Sequence, residues 1–206
     1  MKVALLDYGV GNMHSLRKAL ELAGAKVDVV TEPRGMEGAD AIVLPGVGAF
    51  GAAMEKLAPF KEPLLARMRA GTPTFAVCLG MQLLFEASEE SPGVAGLGFI
   101  PGDVVRFEDS VGKVPLMGWT GTRSTPRAEK DPVVRPSDDA PFYYYVHSYY
   151  CRPHEDVTLA TAKYGAEFPA IVRKGHVWAT QFHPEKSSDE GLGLLKRFVA
   201  FVEVST

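Results

Sequence analysis

The first half of the chain alternates short apolar runs with longer amphipathic stretches. The apolar runs have the length of buried strands, and the amphipathic stretches repeat apolar side chains at helical spacing. The predicted strands are residues 2–7, 26–30 and 41–44, and the predicted helices are residues 12–23, 51–57 and 62–69. This alternation is typical of βαβ units and therefore predicts a parallel sheet.

The next apolar run, residues 73–77, ends at Cys78 and is followed by residues 79–90, which have the spacing of a helix. A sharp corner between a strand and a helix exposes the side chain at the corner and directs backbone N–H groups toward it. The pattern therefore predicts that Cys78 lies at such a corner, at the end of a central strand.

The second half is β-like, with turns rich in Gly, Pro and Asp. Lys174-Gly175 can form a hairpin turn because glycine accepts a positive φ. The predicted strands are residues 103–107, 114–118, 141–151, 158–164, 170–174 and 176–182, with a polar loop at 121–140 and a closing helix at 192–204. These segments predict an antiparallel extension of the sheet.

Composition adds limits to this picture. The chain has 206 residues, of which 46% are hydrophobic and 23% charged, and no shift in composition divides it. We therefore predict one domain over residues 1–206, an α/β fold with a central mixed, mostly parallel sheet flanked by helices. The net charge is -3 and Lys and Arg do not cluster, so we expect no nucleic-acid partner.

No apolar run reaches the length of a membrane span, and the run at the N-terminus is too short for a signal peptide. We therefore expect no membrane association and a cytoplasmic location, where thiols stay reduced. Cys78 and Cys151 are then free thiols. Cys151 and His154 have no second pair of ligands at zinc spacing, so neither a metal nor a cofactor is predicted.

Candidate chemistry comes from Cys78 together with His183 and Glu185. A buried cysteine is often only a small hydrophobe, and a lone histidine often makes one structural hydrogen bond. His183 and Glu185 are two residues apart, which in an extended strand places both side chains on one face, about 6.6 Å apart. A nucleophile, a base and a carboxylate that orients the base are what acyl transfer through a thioester requires.

The motifs around these residues resemble those of class I glutamine amidotransferases, and within that family those of the glutaminase subunits of imidazole glycerol phosphate synthase. Six motifs in the same order carry the resemblance over nearly the whole chain. They are Asp7-Tyr8-Gly9-Val10-Gly11-Asn12, Pro45-Gly46-Val47-Gly48-Ala49-Phe50-Gly51, Val77-Cys78-Leu79-Gly80-Met81-Gln82, Met117-Gly118-Trp119, Tyr145-Val146-His147-Ser148-Tyr149 and Gln181-Phe182-His183-Pro184-Glu185-Lys186-Ser187. The resemblance implies the flavodoxin-like fold of that family.

The resemblance also implies a reaction: hydrolysis of L-glutamine at Cys78, with the ammonia passed to a cyclase subunit that makes imidazole glycerol phosphate and AICAR in histidine biosynthesis. At the predicted corner, the Leu79 N–H is one hydrogen-bond donor to the negative oxygen of the tetrahedral intermediate. The resemblance assigns the other donor to the N–H of Val47. Since glycines flank Val47, we hypothesise that its amide points away in the isolated chain and turns inward when the partner is loaded.

Further site residues follow from position or from the resemblance. Gln82 lies one turn beyond Cys78, where its amide can reach the substrate, and the resemblance adds Glu90 as a partner of the substrate ammonium group. The remaining predicted pocket groups are Gly48 and the backbone of His147, Ser148 and Tyr149. The residues expected to face the cyclase are Asn12, Trp119, Tyr144 and Lys186.

Other functions share part of this pattern. The glutaminase of another amidotransferase uses the same set of Cys, His and Glu residues. A noncatalytic docking subunit or a cysteine peptidase could have the same fold. Three positions depart from the family pattern: Ala76 replaces a usual Gly, Leu116 a frequent His, and Thr120 a frequent Asn. None of the three belongs to the triad.

Overall fold

The computed structural model describes residues 1–136 and 139–205, so Ser137, Asp138 and Thr206 of the predicted domain lie outside it. The strands are β1 (Lys2–Leu6), β2 (Lys26–Val30), β3 (Ala41–Leu44), β4 (Thr74–Val77), β5 (Ala87–Ser88), β6 (Gly102–Arg106), β7 (Leu116–Ser124), β8 (Phe142–His147), β9 (Tyr149–Pro153), β10 (Thr158–Tyr164), β11 (Ala166–Lys174) and β12 (Val177–Thr180). The α-helices are α1 (Met13–Leu22), α2 (Phe50–Leu57), α3 (Lys61–Arg69), α4 (Leu79–Leu83) and α5 (Ser188–Ser205).

Within the described residues, nine strands form one mixed sheet in the order β2-β1-β3-β4-β12-β11-β10-β7-β8. The strands from β2 to β12 pair in parallel, and those from β12 to β8 pair antiparallel. A smaller sheet, β5-β6-β9, lies beside it. The predicted α/β architecture with a mixed sheet is confirmed, and its antiparallel part is as extensive as its parallel part.

The strand that carries Cys78 is central, as predicted. All four residues of β4 are buried, and β4 pairs in parallel with β3 on one side and β12 on the other. Phe75 and Val77 pack on the face covered by α1 and α5, whereas Ala76 packs on the face covered by α2 and α3. Because successive side chains of a strand point to opposite faces, both layers of helices rest on this strand.

The helix predicted over residues 79–90 is shorter than expected: α4 ends at Leu83. The cause is pairing with β6, which captures the segment after the helix. The backbone N–H of Glu86 donates to the Gly102 carbonyl at 3.1 Å, and its carboxylate accepts from the Gly102 N–H at 2.9 Å. Glu89 then donates to the Val104 carbonyl at 2.9 Å. Tertiary pairing therefore overrides the local helical spacing.

The strand predicted over residues 141–151 is two strands in different sheets. β8 ends at His147, Ser148 follows, and β9 joins the smaller sheet, where the Phe107 N–H donates to the Ser148 carbonyl at 3.0 Å. β7 continues six residues beyond the predicted end, as far as Ser124, and so takes up the start of the predicted loop. The predicted hairpin between β11 and β12 is present, with Gly175 at φ +59.

Two glycines bring the ends of β3 and β4 into close backbone contact. A Cβ on Gly80, in α4, would overlap the carbonyl oxygen of Leu44. A Cβ on Gly46, in the loop after β3, would overlap the backbone of Gly80 and lie 2.8 Å from the Leu79 Cβ. The loop after β3 can therefore lie against the Cys78 corner only because neither position carries a side chain.

Among the described residues, no helix has both the length and the apolar character needed to span a bilayer.

Gly80→Ala should destabilise the protein by about 1–3 kcal/mol, because its methyl group would push apart two packed backbones. The usual effect of this change in a helix has the opposite sign, a gain of up to about 1 kcal/mol. Gly193→Ala in α5 is the matched control, since its Cβ would meet no backbone outside its own helix and only the end of the Arg197 side chain, at 3.3 Å. Urea unfolding measures both, and equal stability changes for the two variants would contradict the close approach.

Candidate active site

Cys78 lies on a strained corner between β4 and α4. Its backbone angles are φ 53 and ψ -110, a region that costs a non-glycine residue about 1–3 kcal/mol. The surrounding backbone holds it there: the Cys78 N–H donates to the Thr180 carbonyl at 2.7 Å, and its carbonyl accepts from the Met81 N–H at 3.0 Å. The structure therefore has the nucleophile elbow that the sequence predicts.

His183 comes to Cys78 because β12 is the parallel neighbour of β4. Thr180 is in register with Val77, so β12 and β4 end at the same edge of the sheet. His183 Nδ1 lies 2.8 Å from Glu185 Oε1, and both side chains are buried. The backbone between them is a 3-10 turn over Pro184–Lys186, not the predicted extended strand.

The protonation of His183 depends on two opposing influences. Burial alone lowers the pKa of the imidazole, but the Cys78 sulfur and the Glu185 carboxylate raise it to about 10. Nε2 is buried and meets no described residue with the geometry of a standard hydrogen bond, so we regard the effect of Cys78 as mainly electrostatic. At neutral pH the ring therefore carries a proton that it can give to a leaving group.

The loop after β3 is anchored at both ends and open in the middle. The Tyr8 hydroxyl donates to the Pro45 carbonyl at 2.6 Å, and burial raises the pKa of Tyr8, so the donor proton is retained. At the other end, the Phe50 N–H donates to the Glu90 carboxylate at 2.7 Å. Between these anchors, Val47 is 38% exposed and Gly48, at φ +105, has open space around its Cβ position.

A cavity of about 300 Å³ lies beside the Cys78 sulfur, at the small end of the range for ligand sites. Ten of the predicted site residues line it, together with two that were not predicted, Pro115 and Val146. The ten are Val47, Gly48, Cys78, Leu79, Gln82, Glu90, His147, Ser148, Tyr149 and His183. The structure thus brings the predicted nucleophile, base, oxyanion donors and pocket residues to one place, and their individual roles stay predictions.

His147 has a buried side chain in addition to its predicted backbone role. Its ring packs among Phe107, Tyr145 and Phe168, and its Nδ1 lies 2.8 Å from the Tyr149 carbonyl. Burial lowers the pKa of His147 to about 4, so the ring is neutral at physiological pH. Since a carbonyl can only accept a hydrogen bond, the proton of this neutral ring is on Nδ1.

Three of the four residues predicted to face a partner lie together. The Trp119 ring is half exposed and meets the Tyr144 ring edge-on at 6.2 Å, and Lys186 Nζ lies 5.9 Å from the centre of the Tyr144 ring. Asn12 is the N-cap residue of α1, a helix that packs on the 3-10 turn carrying Lys186. The four residues thus belong to neighbouring elements.

Gln181 is the residue that sequence reasoning missed. It belongs to a quoted motif but received no role, and its side-chain Nε2 lies 3.8 Å from Cys78 Sγ. The available signal was a long polar side chain beside the strongly apolar β12. Pro115 and Val146 gave no comparable signal. No group of three or more potential metal ligands occurs in the described part of the chain.

Comparisons with known proteins identify the family. The model of the family Glutamine amidotransferase class-I matches residues 4–201. The imidazole glycerol phosphate synthase subunit HisH of Methanothermobacter thermautotrophicus is 44% identical over 200 residues, covering 97% of this chain and 98% of that protein. The subunit HisH of Natronomonas pharaonis is 46% identical over 208 residues, covering 97% and 94%.

Solved structures share the fold at lower identity. A glutamine amidotransferase crystal structure has a TM-score of 0.74 at 20% identity and covers 98% of both chains. The structure of PurLQS from Thermotoga maritima has a TM-score of 0.73 at 16% identity, covering 100% of this chain and 99% of that one. By its family match and its identity to these relatives, this chain belongs to the class I glutamine amidotransferases and, within them, to the HisH subunits of imidazole glycerol phosphate synthase.

Proposed function

We propose that the chain is the glutaminase subunit of imidazole glycerol phosphate synthase. It hydrolyses L-glutamine to glutamate and ammonia at Cys78 and passes the ammonia to a cyclase subunit, which makes imidazole glycerol phosphate and AICAR. The observation that carries this proposal is the convergence of ten predicted site residues on one cavity, in a chain that HisH relatives match along nearly its whole length. The proposed site of action is the cytoplasm.

In the first half of the reaction, the Cys78 sulfur attacks the carbonyl carbon of the glutamine side chain. A carbon–sulfur bond forms, and the carbonyl electron pair moves to oxygen. When the tetrahedral intermediate collapses, the carbon–nitrogen bond breaks and His183 transfers its proton to the departing nitrogen, which leaves as ammonia. The raised pKa of His183 supports this step, because the proton is in place at neutral pH.

In the second half, water attacks the thioester and His183 takes its proton. The carbon–sulfur bond then breaks, glutamate leaves and the sulfur keeps the electron pair. Glu185 accepts a hydrogen bond from Nδ1, which fixes the ring and stabilises its protonated form. The buried pair of His183 and Glu185 therefore serves both halves of the cycle.

The tetrahedral oxygen needs two donors in both halves. We assign them to the backbone N–H groups of Leu79 and Val47, each worth about 10² to 10³ in kcat. The close approach of Gly46 to Gly80 supports this assignment because it holds the Val47 loop beside the elbow. The open space around Gly48 is compatible with the hypothesised turn of the Val47 amide on partner binding.

Glutamine recognition is assigned to the rest of the cavity lining. Glu90 provides a negative charge for the substrate ammonium group, and its position is fixed by the hydrogen bond from Phe50. The Gln82 Nε2 group already donates to the Tyr149 carbonyl at 2.9 Å and to Gln181 Oε1 at 3.2 Å. Both of its hydrogens are used, so Gln82 can offer the substrate only its oxygen.

The cyclase partner is assigned to the face of the β7–β8 ribbon. Trp119 is opposite Tyr144 in the register of these strands, and Met117 is opposite Val146. Met117 and Trp119 are exposed to 65% and 50%, unusual for large apolar side chains, and such patches mark interaction sites. β8 is the edge strand and is followed closely by the cavity residues His147 to Tyr149, so a partner on this face lies beside the site of ammonia release.

Cys78→Ser tests the proposed activity. The chain is mixed with the cyclase, its ribonucleotide substrate and glutamine, and glutamate and imidazole glycerol phosphate are measured. We expect wild type to give both products and the variant to give neither, since a serine hydroxyl at this corner is a far weaker nucleophile than a thiolate. With ammonium salt in place of glutamine, the variant complex should still give imidazole glycerol phosphate.

The ammonium reaction is the control for assembly. A noncatalytic docking subunit would keep full glutamine-dependent function after Cys78→Ser, which would contradict the proposal. Wild type that releases glutamate without forming imidazole glycerol phosphate would indicate a glutaminase of another amidotransferase.

Glu185→Gln tests the electrostatic pairing through its pH dependence. The carboxylate raises the pKa of His183, so its removal lowers that pKa from about 10 toward the ordinary value. The alkaline fall of kcat/KM for glutamate release should therefore begin at lower pH, and the maximum should drop about 10²-fold or more. Asp189→Asn, which removes an exposed carboxylate in the first turn of α5, is the control, and an unchanged pH profile in Glu185→Gln would contradict the pairing.

Trp119→Ala tests the docking face. A buried interface tryptophan commonly contributes 2 kcal/mol or more, so we expect about 30-fold weaker binding to the cyclase by titration calorimetry. Leu22→Ala is the matched control because Leu22 is also an exposed apolar residue but lies at the opposite end of α1 from Asn12. An equal loss of affinity in the two variants, or no loss in Trp119→Ala, would show that the cyclase binds elsewhere.

A further inference from the structure

Gln181 contacts the nucleophile but does not line the cavity. Its side chain is completely buried, its Nε2 lies 3.8 Å from Cys78 Sγ, and it is not among the residues that line the cavity. Its backbone is fixed by an N–H donated to the Ala170 carbonyl at 2.9 Å. A buried amide with one end on a sulfur atom needs a reason for that orientation, since the two ends of the group have opposite polarity.

A chain of three hydrogen bonds supplies the reason. The Tyr149 carbonyl can only accept, so the Gln82 atom 2.9 Å from it must be the amide nitrogen. The same nitrogen lies 3.2 Å from the Gln181 side chain, which must present its oxygen there. The NH2 end of Gln181 is then directed to Cys78. The orientation at the sulfur is thus determined by a backbone carbonyl two side chains away.

The starting point of this chain is itself held by a second donor. His147 Nδ1 lies 2.8 Å from the same Tyr149 carbonyl, and the neutral ring donates there. The side chains of Gln82, His147 and Gln181 are all buried, and hydrogen bonds are electrostatically stronger in such an environment than in water. The whole chain runs from β9, through α4, to the end of β12.

We propose that Gln181 is a catalytic hydrogen-bond donor to the Cys78 sulfur, and that Gln82, Tyr149 and His147 position it. An N–H donor stabilises a thiolate more than a thiol because the hydrogen bond to the charged form is stronger. The donor therefore favours the reactive form of Cys78 before attack. It stabilises the same sulfur again when the thioester breaks.

Gln181 differs from His183 in one respect that matters for the cycle. His183 loses its positive charge when it gives its proton to the leaving nitrogen, whereas an amide N–H keeps its proton at every step. The Val146 carbonyl, 3.9 Å from the sulfur, can only accept a hydrogen bond, and only from the thiol form. Of the two N–H groups beside the sulfur, the first, His183, changes its charge during turnover, and the second, Gln181, does not. The role of that second partner in turnover rests on the proposed glutaminase function, but its effect on the thiolate does not.

The test measures Cys78 alkylation by iodoacetamide, with the labelled peptide quantified by mass spectrometry, in the full chain alone and with the cyclase. Cys151 does not interfere because it is wholly buried, and burial raises the pKa of its thiol. Gln181→Met keeps the length of the side chain and removes the donor. We expect about tenfold slower alkylation at neutral pH, the size of effect of one hydrogen bond to a charged group.

Gln181→Glu is the second variant and keeps the shape as well as the length. It should slow alkylation further than Gln181→Met, because a carboxylate beside the sulfur repels the thiolate. Thr180→Val is the matched control: it removes a buried side-chain hydrogen bond of 3.0 Å to the Phe182 carbonyl in the adjacent position and touches only the backbone of Cys78.

Alkylation of folded Gln181→Met and Gln181→Glu at the wild-type rate would overturn the proposal, and so would equal slowing by Thr180→Val. If Gln181→Met does not fold, as judged by circular dichroism, Gln181→Glu decides alone. The expected order of rates supports the proposal even if wild type releases no glutamate with the cyclase, and in that case only the proposed glutaminase function fails. In an active enzyme the same variants should lower kcat for glutamate release with little change in KM.

Discussion

The close contact between two backbones, at Gly46 and Gly80, is the constraint on which the site depends. It allows the loop after β3 to rest directly on the turn that carries Cys78. A methyl group at either position would separate the loop from the elbow, and a donor on that loop would then be out of reach of the substrate oxygen. The Tyr8 hydroxyl completes the arrangement because it fixes the Pro45 carbonyl at the start of the loop. Three motifs that are distant in sequence thus meet beside Cys78.

β12 connects the two halves of the large sheet and of the site. It pairs in parallel with β4, which brings His183 to Cys78, and antiparallel with β11, which begins the half that contains the proposed docking face. A ring of three hydrogen bonds then ties His183 to β8: its N–H donates to the Tyr144 carbonyl at 3.0 Å, Tyr144 donates to Ser187 Oγ at 3.0 Å, and the Ser187 hydroxyl donates to the His183 carbonyl at 2.6 Å. The backbone of His183, the proposed base, is therefore linked directly by hydrogen bonds to the exposed β7–β8 ribbon.

Periodicity predicted the elements that keep one regular pattern along their length, such as α1, β4 and the hairpin around Gly175. It failed at residues 79–90, where pairing with β6 stops the helix, and at residues 141–151, where one apolar run serves two sheets. The grouping of Cys78, His183 and Glu185 could be predicted because a nucleophile, a base and an orienting carboxylate are proposed from residue type. The 3-10 turn between His183 and Glu185 could not, because spacing alone does not distinguish a turn from a strand. Gln181 escaped because its role depends on which end of an amide faces the sulfur, and only the tertiary hydrogen bonds determine that.

The distribution of rigidity in the site indicates where a partner can act. Cys78, His183 and Gln181 are each held by backbone and side-chain hydrogen bonds in a buried environment, so moving any of them would break several bonds at once. The middle of the Val47 loop is different, because Val47 is partly exposed and Gly48 has open space around it. A peptide unit there can change direction without disturbing the triad, since glycine accepts backbone angles on both sides of zero φ. A partner could therefore change the direction of the Val47 amide, the proposed oxyanion donor, at a lower free-energy cost than it could move Cys78 or His183. The hydrogen bonds between His183 and the β8 backbone would keep the proposed base in place during that change.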